Sequence, residues 1–493
     1  MVAVHLMFFF WPFRYRMVHP LLEKVFESRV VVAKYHRTYF PHPGFVAEGV
    51  TFYRHGDTRI PPLARVKKMT VEGQWGMLLF HPHLLYQIRL EGLEVQIPPA
   101  GTKARGMDFD NGVIDTSQSK LKVETIVADG TTLDFLRHGE GPIRFQFPVL
   151  EIHDVERARP MQFALRVTMP GPEGVVTASG QMGPFRTTSY MTTPIRGRYT
   201  LVTADLSRLQ GLAGHATGGG SLSGVFSRMG VTGTAVIPDF RAGSAHTVGM
   251  EAAYNVTVNG TNADIAIDNA EVRTGRSVVR AQGTVAGSPR TVAVTIAAQG
   301  AELGDLLKVV EEAEPQVRGR VNFRAAAEFR PGPERFLERV HVTGEVAVEG
   351  VRLVDAQKQE KVDAFSARER KGDPGEMGVA SGDGGGAPAA GVDGRTETRI
   401  EGGVAYFPDI RAGVPGAEAH LHGTFNLLDT KIHLTGTVAL EKGISQAVTG
   451  WKAVLLKPLS PFFRKKDEGA VAPIAVTGTA EKPKVGQDLF HDK

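Results

Sequence analysis

Between about residue 195 and residue 350 the chain does little but alternate. The segments AAYNVTVNG, ADIAIDNAEVRTG, VVRAQGTVAG and RTVAVTIAAQG put small or β-branched residues at every second position, with polar residues between them. A strand turns successive side chains to opposite faces, so a period of two makes a sheet with one apolar and one polar face. In RTVAVTIAAQG, Val292, Val294 and Ile296 share one face, while Thr291, Ala293 and Thr295 share the other. Glycine supplies 57 of the 493 residues, and many glycines punctuate these segments. The pattern predicts many short strands joined by tight turns.

The rest of the chain adds to this β framework. Met17, Val18, Leu21, Leu22, Val25 and Phe26 follow helical spacing within 14–29. Strands are expected at 29–39 and 45–52, around the turn Pro41-His42-Pro43-Gly44. Residues 64–71 and 84–97 read as strands on either side of a short helix at 75–83 that Pro82 ends. Residues 121–128 and 131–136 read as a hairpin around Asp129-Gly130. Helical stretches at 205–212, 303–312 and 333–339 interrupt the later strands, each placed to cap an end of the sheet. Residues 366–396 hold almost no large apolar side chains and are expected to be disordered. A polar helix is expected just before them, at 355–367. Strands are expected to resume at Thr398, an amphipathic helix to occupy 444–463, and a last strand 472–479. The segment Ile237-Pro238-Asp239-Phe240-Arg241-Ala242-Gly243 is echoed by Phe407-Pro408-Asp409-Ile410-Arg411-Ala412-Gly413. Two such units argue for repetitive β architecture but do not define a solenoid period.

The chemistry of common active sites is missing. There is no cysteine, hence no disulfide, thiolate nucleophile or cysteine–zinc site. No phosphate-binding G-x-x-x-x-G-K-[ST] loop, H-E-x-x-H helix or G-x-S-x-G elbow occurs. His36, His42, His81 and His83 read as surface histidines. The pairs Asp264/Asp268 and Glu311/Glu312 read as solvated charge. A net charge of +4, carried in scattered clusters such as 65–68 and 464–466, does not make a nucleic-acid stripe. The expectation is a non-enzymatic chain with no cofactor, no metal and no nucleic-acid partner.

Residues 1–13 are apolar apart from His5, and Arg14 and Arg16 follow. Thirteen helical residues reach about 20 Å, short of the roughly 30 Å hydrocarbon core. The segment fits the far half of a membrane helix that begins upstream, an interfacial anchor, or an ordinary buried segment. The basic residues after it sit on the wrong side for the positive-inside rule unless stronger ones precede it.

The alternating sheet itself leaves two architectures open. One is a long curved antiparallel sheet whose apolar face forms a trough for an acyl chain. The other is a stack of β-sandwich modules filled by their own side chains. An outer-membrane barrel fits poorly, because tyrosine is scarce and helical breaks interrupt the strands.

Both ends of the chain carry distinctive segments. At the start these are WPFRYRMVHPLLEKVFESRVVVAKYHRTYF, the turn Pro41-His42-Pro43-Gly44, the Met77-Leu78-Leu79 helix and Leu90-Glu91-Gly92-Leu93. At the end they are the hairpin from Gly423-Thr424-Phe425 to Gly436-Thr437, Lys457-Pro458 to Pro461-Phe462-Phe463, and the strand Ile474 to Gly478. Through these segments the two ends, about 180 residues, resemble the AsmA-like family of bacterial envelope proteins, and the middle agrees in style alone. The resemblance implies one N-terminal inner-membrane anchor, a β-rich periplasmic body, and a role in phospholipid handling or outer-membrane assembly. It implies no catalytic residues.

The expected organisation is an anchor and amphipathic helix at 1–28, an N-terminal β module at 29–170 and a repetitive sheet body at 171–365. The low-complexity insertion at 366–396 and a C-terminal β region at 397–493 follow. Candidate groove-lining residues are Val256, Val258, Ile265, Ile267, Val292, Val294 and Ile296. Candidate membrane contacts are Phe8, Phe9, Phe10, Trp11, Phe13 and Tyr15, with Trp451, Phe462, Phe463, Arg464, Lys465 and Lys466 near the C-terminus. The expected partners are phospholipid or another acyl lipid, the bacterial inner membrane and other envelope proteins. A structural scaffold that assists outer-membrane protein assembly is the alternative.

Overall fold

The computed structural model describes residues 13–26, 29–53, 62–76, 84–97, 122–136, 141–156, 159–170, 173–184, 190–208, 211–260, 264–286, 291–312, 314–330, 332, 334–356, 359–360, 392–414, 417–440, 471–479 and 482–486. They form one 24-stranded sheet. Its first half comprises β1 (Arg29–Thr38), β2 (Gly44–Tyr53), β3 (Ala64–Glu72), β4 (Leu84–Ile97), β5 (Lys122–Phe135), β6 (Ile143–Val155), β7 (Met161–Pro170), β8 (Glu173–Met182), β9 (Pro194–Asp205), β10 (Leu212–Ala213), β11 (His215–Val225) and β12 (Arg228–Ala242). Its second half comprises β13 (Val248–Val258), β14 (Ile265–Thr274), β15 (Ser277–Val285), β16 (Val292–Glu302), β17 (Val317–Phe329), β18 (Val340–Leu353), β19 (Val392–Glu401), β20 (Val404–Val414), β21 (Ala417–Asn426), β22 (Lys431–Leu440), β23 (Val471–Thr479) and β24 (Pro483–Gly486).

Each strand pairs with the next, except that β9 joins β11 while the two-residue β10 lies against the end of β12. Every pair is antiparallel but one. β4 and β5 run parallel, which demands a long crossover, and residues 98–121 separate them in the chain. Among the described residues no pairing joins β1 to β24, so the sheet is open.

The expected hairpin at 121–136 is instead the single strand β5. Gly130 alone is left-handed there, with φ 64°. A tight two-residue hairpin of the commonest kind needs two such residues, so the strand continues through Asp129-Gly130 in unbroken register with both β4 and β6. Gly49 and Gly92, each with φ 62°, lie at the same level of β2 and β4. One row of left-handed residues therefore bends three strands together.

The echoed Pro-Asp segments also form matching bulges. The register shifts between Ile237 and Phe240 in β12, and between Phe407 and Ile410 in β20. Proline cannot donate to the ladder, which favours an irregular step at both places.

Three helices are described: α1 (Tyr15–Phe26), α2 (Leu303–Val310) and α3 (Phe336–Arg339). The helix expected at 205–212 shrinks to a single 3-10 turn, Leu206–Arg208, before β10. α1 packs on β1 and completes a core of Phe13, Val18, Val30, Phe45, Ala47, Val50 and neighbouring side chains. It also covers part of the sheet edge. The Val30 amide donates to Glu23 Oε1 at 3.2 Å, and His19 Nε2 lies 2.9 Å from the Val30 carbonyl. Side chains thus satisfy edge groups that would otherwise invite another strand.

Two further expectations change. Strands resume at Val392 rather than Thr398, so residues 392–396 are ordered in β19 and not part of a disordered insertion. Alternation has already begun there in VDGRTETRI, with Val392, Gly394 and Thr396 on the more covered face. Among the described residues no helix is long and apolar enough to cross a membrane. α1 is amphipathic and docks on protein. The expected Met77-Leu78-Leu79 helix, the helix at 444–463, most of that at 355–367 and residues 361–391 lie outside the described residues.

Candidate functional site

The seven residues expected to line a groove all lie on one face of the sheet. The register places Val258, Ile265, Val285, Val292, Phe329 and Val340 side by side on successive strands. The neighbouring row joins Val256, Ile267, Gly283, Val294, Ala327, Val342 and Ile400. Ile296 stands in the next row with Ala281 and Ala325. No charged side chain interrupts these rows. The apolar rows extend toward the N-terminus through Leu222, Gly197 and Phe163, and toward the C-terminus through Leu421, Leu434 and Val476.

The covering of this face distinguishes the two architectures. In a sandwich, a second sheet would bury these residues. Here all described strands belong to one sheet, and each of the seven is half-buried. The alternate residues Thr295 and Glu251 are exposed on the other face. Fully buried large side chains concentrate instead under α1.

Two tyrosines that sequence reasoning did not single out cross the floor of this face. Tyr199, Gly220, Gly233 and Tyr254 are consecutive across β9, β11, β12 and β13. The tyrosines lean over the two glycines until their hydroxyls lie 2.7 Å apart. A Cβ on Gly233 would sit 2.3 Å from Tyr199 Oη. Burial, and then the bond to Tyr254, push the Tyr199 phenol well above the ordinary tyrosine range. The alternation of RGRYTLV and AAYNVTV already places both rings on the apolar side, but their contact requires the strand order.

α2 covers one end of the same face. Leu303 and Leu306 pack against the buried cluster of Ala298, Ala301 and Val321, as do Val279, Phe323, Val346 and Val348. The Asp305 carboxylate accepts from the Arg276 amide at 2.7 Å and from Ser277 Oγ at 3.0 Å. At the far end the Glu311 carbonyl accepts from the His246 amide at 3.2 Å. The helix therefore bridges the ends of strands from β12 to β17.

The candidate membrane contacts divide. Phe13 is 7% exposed and packs on Phe45 with ring centroids 6.1 Å apart, so it belongs to the core, not to a membrane surface. Tyr15 is exposed, with its ring edge-on to Tyr35. Phe8, Phe9, Phe10, Trp11, Trp451, Phe462, Phe463, Arg464, Lys465 and Lys466 lie outside the described residues.

The arrangement suits non-covalent retention of something long and apolar. No group of three or more metal-ligating side chains occurs among the described residues. No protein-family model matches the chain, and no curated protein matches it.

Proposed function

We propose that this chain is a non-enzymatic lipid-handling protein of the bacterial envelope, with an AsmA-like body that holds acyl chains against its half-covered apolar face. The observation that carries the reading is the in-register apolar rows, with no second sheet over them among the described residues. Transferring each methylene from water to such a face is worth about 0.8 kcal/mol, so a fatty acyl chain gains affinity along its length. The resemblance of both chain ends to AsmA-like proteins supports phospholipid as the cargo. It also supports the inner membrane and periplasm as the location, with residues 1–12 as part of an anchor.

The test is mass spectrometry of an organic extract of the purified protein. Near-stoichiometric phospholipid, lost in Val294→Asp/Ile296→Asp while the β-sheet circular dichroism persists, supports the reading. A folded protein that carries no lipid and takes none from vesicles sinks it.

A scaffold that assists outer-membrane protein assembly is the second reading. It is favoured by the C-terminal sheet edge, where among the described residues the four-residue β24 pairs with only part of β23 and Val471 is exposed.

A further inference from the structure

We infer that the polar face of β7–β14, opposite the apolar rows, carries a separate binding site for an extended acidic oligosaccharide. Two adjoining hollows of about 800 and 440 Å³ lie there and share Arg198. They follow two rows of the sheet. One row is Arg166, Thr177, Thr200, Gly219, Thr234 and Ala253. The other is Ser179, Arg198, Ser221, Thr232, Asn255 and Asn269. Seven consecutive strands at about 4.8 Å spacing make this strip about 29 Å long. Gly219 and Ala253 leave the floor low, and hydroxyls and amides line the sides.

The electrostatics select for an anion. Arg166 and Arg198 have no hydrogen-bond or ion-pair partner among the described residues. Three arginines elsewhere on the polar face are matched: Arg280 with Glu271 at 2.9 Å, Arg395 with Glu345 at 2.7 Å and Arg411 with Asp409 at 2.8 Å. The two carboxylates lining the hollows are engaged, Glu271 by Arg280 and Glu151 by His153 at 3.5 Å. Unpaired guanidinium groups offer forked donors that fit a carboxylate or sulfate. Serine, threonine and asparagine side chains both donate and accept, as sugar hydroxyls require.

Other polymers fit less well. A peptide that adds as a strand needs a free sheet edge, and these strands are paired on both sides. A bilayer needs apolar anchors, and Val149 is the one exposed large apolar side chain in the lining. The site is independent of the lipid reading because it uses the other face.

The test is calorimetric titration of the full chain at low salt with hexagalacturonate and with neutral maltohexaose. The acidic oligomer is expected to bind at least about tenfold more tightly than the neutral one, and more weakly as salt screens the arginines. Arg166→Gln/Arg198→Gln is expected to remove that advantage, whereas Arg395→Gln, outside both hollows and paired with Glu345 on β18, keeps it. Both arginines are exposed, so the double variant should keep the circular dichroism and melting temperature of the parent. The inference is overturned if neither oligomer binds or if the double variant binds as the parent does. It is also overturned if phosphatidylglycerol vesicles bind more tightly than the oligomer through the same two arginines.

Discussion

The hydroxyls of Tyr199 and Tyr254 lie 2.7 Å apart, although two whole strands separate the tyrosines. The contact exists because Gly220 and Gly233 present no side chain beneath the rings. A methyl group at Gly233 would meet Tyr199 Oη at 2.3 Å and the Gly219 carbonyl at 2.6 Å. Gly233→Ala is therefore expected to cost about 1–3 kcal/mol through overpacking. Urea denaturation checks this, and a variant as stable as the parent refutes the close approach.

The same pair predicts a late-titrating phenol. Burial, then the bond to Tyr254, raise the Tyr199 pKa, and burial raises Tyr35. The folded state thus favours the neutral phenols. Their contribution to stability is complete below about pH 10, where unfolded tyrosine titrates, and is lost as pH rises toward the folded values. Phenolate absorbance should rise in two phases, with the later phase smaller in Tyr199→Phe. A single phase near pH 10 for all nine tyrosines would count against this environment.

Adjacent residues of β16 provide a test of the two faces. Val294 lies between Gly283 and Ala327 in the apolar row, whereas Thr295 is exposed on the other side. Aspartate at 294 is expected to abolish uptake of a fluorescent fatty acid from vesicles. Aspartate at 295 should leave uptake within about twofold of the parent, because its charge stays in water. Equal loss in both variants points to misfolding or to a binding site elsewhere.

The face of each strand was legible because it follows from a period of two, and that period survives ignorance of the partners. Val292, Val294 and Ile296 could be assigned together from RTVAVTIAAQG alone. Their alignment with Val256, Val258, Ile265 and Ile267 could not, because neither the strand order nor the register across bulges such as that between Ile267 and Ala270 is fixed by one strand's own alternation. Asp129-Gly130 misled for a related reason. The same dipeptide serves a hairpin or a left-handed step within a continuous strand, and the pairing with the parallel partner β4 decides between them. The Tyr199–Tyr254 contact and the Arg166–Arg198 strip depend on strand order, so no local window contains them.

The seating of α2 depends on one carboxylate. Asp305 ties the helix to the Gly275-Arg276 turn through the Arg276 amide and Ser277 Oγ. Ser277 is 1% exposed and also accepts from the Glu302 amide at 2.9 Å. Asp305→Ala leaves two donors without their acceptor, at a local cost of about 1–3 kcal/mol. Hydrogen exchange should quicken in 303–310 and at the turn, with β1–β5 unchanged. Unchanged protection in the helix would show that Leu303 and Leu306 suffice to hold it.

His215 and Asp239 give the sheet an exposed pair with opposed shifts. Asp239 accepts from the His215 amide at 2.7 Å and faces His215 Nδ1 at 2.7 Å. The bond and charge of Asp239 raise the imidazole pKa, while the bonds from His215 lower that of the carboxyl. The raised histidine contributes fully below about pH 6.5, its unfolded value, and loses that contribution as pH rises through the folded one. The lowered aspartate contributes above about pH 3.9 and loses its part as pH falls through its folded value. The pair is therefore strongest between about pH 4 and 6.5. Nuclear magnetic resonance titration should place the His215 midpoint above about 6.5, and Asp239→Asn should lower it. An unchanged midpoint in that variant would mean that Asp205, the weaker influence on the ring, holds the proton instead.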